Sequence, residues 1–176
     1  MSTPNKQSAA AITVRAAEWH DPVAVSLRNA METEMEIRYA DRLADFLSKR
    51  QELPEALGVD AEAVAYVGVA HAGLPDTGED LPVGHVALRW TGGDLELKRM
   101  YVAPSHRGKG VSTALLDASE WAASALGVRR IILQTGDRQP DAVRLYEREG
   151  YTRIPIFPPY EWMTFSICME KVIDLA

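Results

Sequence analysis

The chain is poor in cysteine, in basic charge and in long apolar runs, and each shortage removes a class of protein. Cys168 is the one cysteine among 176 residues, so there is no internal disulfide and no Cys-based metal spacing. That suits a reducing compartment, and a cytoplasmic protein without a metal is expected. Lys and Arg number 19 against 25 Asp and Glu, for a net charge of −6. A nucleic-acid binder is ordinarily basic, so no nucleic-acid partner is expected. No apolar run approaches the ~18 residues of a membrane span. The opening "MSTPNKQSAA" is too polar for a signal peptide. Two phosphate-binding signatures are also missing. Gly108-Lys109-Gly110 lacks the earlier glycine and the following Ser/Thr of a magnesium-nucleotide loop. Thr113 stands where a dinucleotide fingerprint needs its third glycine.

What remains is an ordinary globular composition, 47% hydrophobic and 25% charged. One domain over residues 1–176 is expected, with residues 1–10 flexible. "AITVRAA" alternates like a first strand, and Asp21-Pro22 reads as an N-cap followed by proline at the first helical position. Val23 to Leu57 predicts one long helix or two shorter ones. "AVAYVGVA", "VGHVALRW" and "DLELKRMYVA" predict three strands, the last two joined by a hairpin at Thr91-Gly92-Gly93. Apolar residues from Val111 to Leu126 recur at helical spacing up to Gly127. "RRIILQT" then reads as a buried strand, Pro140 opens a helix that Gly150 stops, and "YTRIPIF" and "FSICMEKVI" close the chain as strands. The order β, α, β-β-β, α, β, α, β, β predicts a mixed α/β sheet. Its glycine loop follows the central strand, where open sheets expose ligand sites.

That loop, "SHRGKGVST", suits a diphosphate. The first turn of the Val111 helix has unsatisfied N–H groups and roughly half a positive charge from the helix dipole. Gly108 and Gly110 allow close approach to the backbone. Arg107 and Lys109 add charge, and Ser112 and Thr113 add hydroxyls.

"LKRMYVAPSHRGKGVSTALLDASEWA" followed by "RIILQTGDRQPDAVRLYEREGYTRI" resembles the GNAT acyltransferase superfamily, over Leu97 to Ile154. The resemblance implies a mixed, mostly antiparallel sheet of about six to seven strands with helices on both faces and splayed central strands. It also implies that Arg107 to Thr113 wrap the pyrophosphate of acetyl-coenzyme A. Arg107 and Gly110 match the family's loop, whereas Ser112 replaces its small glycine or alanine. Pantetheine would lie beside Met100-Tyr101-Val102 and Gln134, with Gln139 and Tyr146 approaching from the following helix. The implied reaction is acetyl transfer to the primary amine of a small molecule within a ternary complex, by a protein that resembles homodimeric relatives. A peptide or protein amine, or a non-catalytic acyl-coenzyme A sensor, is the alternative.

Such a transfer needs a proton acceptor, an oxyanion donor and a general acid. Tyr146 is the acid candidate, with core packing as its competing role. Glu96 is the base candidate. Alternation puts Glu96, Lys98, Met100 and Val102 on one strand face, so Glu96 would face the cleft or pair with Lys98 or Arg89. A backbone N–H near Tyr101 would hold the oxyanion. His85, His71 and Cys168 are lesser candidates that read more simply as packed residues. Glu32, Glu36 or Tyr39 would line an acceptor pocket or belong to a solvated helix face, and "IPIFPPYEW" would form a pocket wall, a lid or a dimer contact.

Overall fold

The computed structural model describes residues 11–51, 57–73 and 80–175. The expected flexible stretch 1–10 lies outside them. In chain order the elements are β1 (Ile12–Ala16), α1 (Pro22–Arg38), α2 (Leu43–Ser48), β2 (Val64–Gly73), β3 (Asp80–Thr91), β4 (Asp94–Val102), α3 (Val111–Ala125), β5 (Arg130–Gly136), α4 (Pro140–Arg148), β6 (Thr152–Ile154) and β7 (Ser166–Val172). Asp21 caps α1 as expected, its Oδ1 accepting from the N–H groups of Val23 and Ala24. Of the segment expected as one helix or two, the described residues 23–51 form α1, capped at Tyr39, and α2, with a 3-10 turn over Ala40–Arg42 between them.

The strands form one sheet in the order β1-β2-β3-β4-β5-β7-β6. Every pairing is antiparallel except that of β4 with β5, which α3 makes parallel by crossing over between them. On one face, Leu88, Leu95, Leu97 and Leu133 pack against Val111, Leu115 and Leu116 of α3 and Tyr146 of α4. On the other, Val67, Val69 and Ala87 pack against Ala24 and Leu27 of α1. Helices therefore cover both faces.

Two irregularities shape the centre of the sheet. β4 and β5 pair only over Leu95–Leu97 and Ile131–Leu133, although both strands run further, so their C-terminal halves part. The splay implied by the resemblance is present. At the same level β4 bulges: Ala87 faces Lys98 and His85 faces Tyr101, leaving Arg99 and Met100 opposite Val86 alone. An extra residue in a strand reverses which side chains face each way beyond it. The expected common face of Glu96, Lys98, Met100 and Val102 is thereby corrected. Met100 and Val102 join Leu95 and Leu97 on the α3 side, whereas Tyr101 joins the α1 side.

Arg99 holds the bulge with φ 56, a left-handed conformation costing a non-glycine residue about 1–2 kcal/mol. Its guanidinium donates to Glu32 at 2.8 Å and to the Leu57 carbonyl at 2.9 Å. Its own carbonyl lies 2.8 Å from Nδ1 of the fully buried His85. That assigns the proton to Nδ1, while Nε2 accepts from Arg28 at 3.2 Å. Burial and the cations Arg28 and Arg99 hold the ring neutral, its pKa lowered to about 4. Because the unfolded chain binds this proton near pH 6.5, stability is full above that value and falls as pH drops toward 4. The shift corresponds to a loss on the order of 3 kcal/mol. Urea unfolding at pH 7, 5.5 and 4 should be steeply pH-dependent in the wild type and flatter in His85→Gln. Equal slopes would refute the assignment.

Candidate active site

Two cavities open on the splayed cleft. The larger, about 760 Å³, lies between α1, α2 and the parting strands. Its wall includes the methionines and aromatics Met31, Met35, Tyr39, Phe46, Met163 and Phe165. Glu32, Glu36, Lys98 and Arg99 supply its charge. The smaller, about 310 Å³, runs from Met100 to the glycine loop and the start of α3. Met31, Met35, Met100, Gln139 and Tyr146 line both, so the two spaces meet there.

The loop has the geometry of an anion cradle. Gly108 and Gly110 have φ of 72 and 83, and a Cβ at either would meet nothing within 4 Å. Gly110 is the N-cap of α3 and gives its first turn no side-chain cap, leaving those N–H groups for a ligand. Arg107, Gly108, Val111 and Ser112 line the smaller cavity with Met100, Tyr101 and Val102. Arg107 donates to the Val102 carbonyl and pairs with Glu34. Lys109 and Gly110 belong to the loop without lining either cavity. Thr113 does not either, because it lies one step round the helix and its hydroxyl donates to Glu149 at 3.1 Å.

Tyr146 is nearly buried at the junction, its hydroxyl 3.7 Å from the Met100 thioether. Burial pushes its pKa well above the ordinary tyrosine value, so it stays protonated. Gln134 lines the larger cavity, with its amide donating to the Thr135 carbonyl and to Ser166. Gln139 donates to the Tyr39 hydroxyl at 3.2 Å. That hydroxyl rests where Gly136 has no side chain; a Cβ there would come within 2.0 Å of it. Ion pairs from Arg38 to Asp141 and from Arg42 to Asp137 tie α1 and α2 to the start of α4 beside this junction.

Glu96 differs from expectation. It is fully buried and lines neither cavity. Its carboxylate accepts from Arg89 Nε at 2.8 Å, from Thr91 at 3.3 Å, and from Tyr160 through a very short contact. The expected pairing with Arg89 and Lys98 is present, and the direct exposure to the cleft is not. Lys98 stands between: its Nζ is 2.7 Å from Tyr160 Oη and 3.7 Å from Glu96, and it lines the larger cavity. Tyr160 is fully buried and anchors "IPIFPPYEW", whose own residues line neither cavity; Met163 and Phe165, just after it, wall the larger one. Lys98 is the partner expected for Glu96 from strand alternation, whereas Tyr160, inside "IPIFPPYEW", carried no sequence signal for a place in the site. Cys168 is buried and burial raises its thiol pKa; with His85 and His71 it lines neither cavity. Among the described residues no cluster of His, Cys, Asp and Glu suits a metal ion. No described helix is long and apolar enough to cross a membrane.

The sheet, its splay and the uncapped loop are the frame of one acetyltransferase family, and the acetyltransferase (GNAT) family matches residues 27–151. The chain belongs to that family. Its relatives include the IAA acetyltransferase of Azospirillum brasilense, 36% identical over 88 residues, 50% of this chain and 58% of that protein. An acetyltransferase of Agrobacterium fabrum is 35% identical over 77 residues, 44% of this chain and 52% of that protein. The chain thus spans little more than half the length of these curated relatives. A Klebsiella pneumoniae structure assigned to the acyl-CoA N-acyltransferases is 26% identical, covering 93% of this chain and 98% of that one, with TM-score 0.65. The paia N-acetyltransferase of Thermoplasma acidophilum, solved with coenzyme A, is 18% identical over 92% of this chain and 99% of that one. Its TM-score of 0.60 supports the GNAT fold alone.

Proposed function

We propose that the protein transfers an acetyl group from acetyl-coenzyme A to the primary amine of a small molecule, directly, in a ternary complex. The observation that carries this reading is the meeting of the two cavities at Tyr146 and Met100. One has the donors a diphosphate needs, and the other suits an acceptor. The uncapped first turn of α3, the open Cβ positions of Gly108 and Gly110, and Arg107 fit coenzyme A. Met100, Tyr101 and Val102 on one side of the splay and Gln134 and Gln139 on the other fit its pantetheine arm. Acetyl-coenzyme A supplies an activated acyl thioester; the residues here bind it, orient it and move protons.

Tyr146 serves as the general acid toward the departing sulfur, since it remains protonated across the working range. A backbone N–H of β4 near Tyr101 holds the oxyanion. Glu96 takes part at one remove, with Lys98 and Tyr160 between it and the cavity. A pocket of about 760 Å³ matches the size of small-molecule sites and favours such an acceptor over a protein tail. The relative named for IAA acetylation supports the same class.

The test is a thiol-release screen of amines with acetyl-coenzyme A as donor. Release with at least one small amine is expected. Cofactor binding without release across a broad panel would instead make the protein an acyl-coenzyme A sensor.

A further inference from the structure

We propose that the acceptor is an amine carrying an aromatic or other apolar body, selected by the wall of Met31, Met35, Tyr39, Phe46, Met163 and Phe165. This rests on the acetyl-transfer reading above and names its class of acceptor. Met31, Met35 and Tyr39 recur at four-residue spacing, which places them in one stripe along α1. The stripe continues from Leu27, which packs in a cluster with Val67, Val69 and Ala87 of the sheet. Beyond that level β4 and β5 part. The sheet no longer covers the stripe at Met35 and Tyr39, and the larger cavity takes its place.

The rest of the wall comes from α2 and from the residues before β7. Tyr39, Phe46 and Phe165 each contact the other two rings, with centroids 6.3, 6.0 and 5.9 Å apart. Phe46 and Phe165 also pack on Tyr160 and Met163 in a hydrophobic cluster separate from the main core. The polar groups offer an acceptor less. Glu32, Glu36, Lys98 and Arg99 are the charged side chains lining this cavity. Arg99 is engaged with Glu32 and the Leu57 carbonyl, and Lys98 with Tyr160. Gln134 donates to the Thr135 carbonyl and to Ser166. A carboxylate, phosphate or sugar on the acceptor would have to displace such partners. An apolar body needs none of them and removes the methionine and aromatic surface from water.

Methionine side chains are flexible and polarizable, so they adapt to bodies of different shape. The wall therefore defines a class rather than one compound. With the apolar body held against it, the amino group reaches the junction at Met100 and Tyr146, where the two cavities meet. There the C–N bond forms as the thioester C–S bond breaks, and sulfur takes a proton. The sum is ammonium plus thioester to amide, thiol and one proton released to solvent.

Two amines on the same two-carbon stem test the selection: 2-phenylethylamine and ethanolamine. Thiol release should give 2-phenylethylamine a kcat/KM about 10²-fold higher. Benzylamine and 3-phenylpropylamine should come within about tenfold of it. Phe46→Ser should cut the ratio of 2-phenylethylamine to ethanolamine at least about tenfold, and Phe46→Leu less than about threefold. Both variants should keep the melting shift given by acetyl-coenzyme A. A wild-type ratio near one, a ratio that Phe46→Ser leaves unchanged, or a preference for putrescine would overturn the proposal and leave acetyl transfer standing. Should no amine release thiol, acetyl transfer is what fails, and a readout without turnover decides on the wall. In protein carrying methyl-13C-methionine, 2-phenylethylamine should move the Met31, Met35 and Met163 signals by its ring current and leave that of Met169 in the core. Cavity methyl signals that do not move would overturn the proposal.

Discussion

Tyr146→Phe should lower kcat about 10³-fold while leaving acetyl-coenzyme A affinity within a factor of two, measured by thiol release and calorimetry. The substitution removes one hydroxyl from a residue otherwise packed against Tyr151, with ring centroids 5.6 Å apart. That hydroxyl's hydrogen-bond partner among the described residues is the Met100 thioether, a weak acceptor. Its loss therefore costs the fold little, and the melting temperature should scarcely move. Catalysis is another matter, because among the described residues no other phenol or thiol lines both cavities. Without a donor the thiolate must leave unprotonated, and general acids are worth 10²- to 10⁴-fold. Unchanged turnover would return Tyr146 to the core as a packing residue.

Arg107→Glu combined with Gly110→Asp should raise the dissociation constant for acetyl-coenzyme A by at least about 10³-fold. Arg107 lines the smaller cavity with its side chain 39% exposed, so reversing its charge disturbs the ligand more than the fold. At Gly110 the backbone has φ 83, and a carboxylate there would sit at the N-terminus of α3 in place of the anion. A lost charge-assisted hydrogen bond is worth about 1.5–3 kcal/mol, and two new negative charges add repulsion. In the wild type, ligand at 100 times its dissociation constant stabilises by about 2.7 kcal/mol, a rise of several degrees in Tm. The double variant should show no rise. A retained shift would overturn the loop assignment.

Much of this site could be read from the chain because it is local. The phosphate cradle needs only a few consecutive residues: Arg107, two glycines and the opening turn of a helix. Asp21 with Pro22 marked the start of α1, and Thr91-Gly92-Gly93 the hairpin between β3 and β4, for the same reason. Tyr146 was legible through its place in a helix of recognisable pattern. Strand alternation misled at β4, since period-two reasoning assumes an unbroken ladder and the bulge at Arg99 breaks it. Nothing adjacent in sequence announces that bulge. His85 from β3, Glu32 from α1 and the Leu57 carbonyl stabilise it from distant parts of the chain.

The sequence by itself determined the element order and the glycine loop where a diphosphate would rest. Each follows from spacing, capping and backbone freedom within a short window. Only the tertiary structure decided which side chains face the acceptor cavity. It buried Glu96 behind Tyr160 and brought Lys98 to the wall. The physical reason is that a buried carboxylate must be satisfied, and the groups that satisfy Glu96 come from β3 and from a loop more than sixty residues downstream.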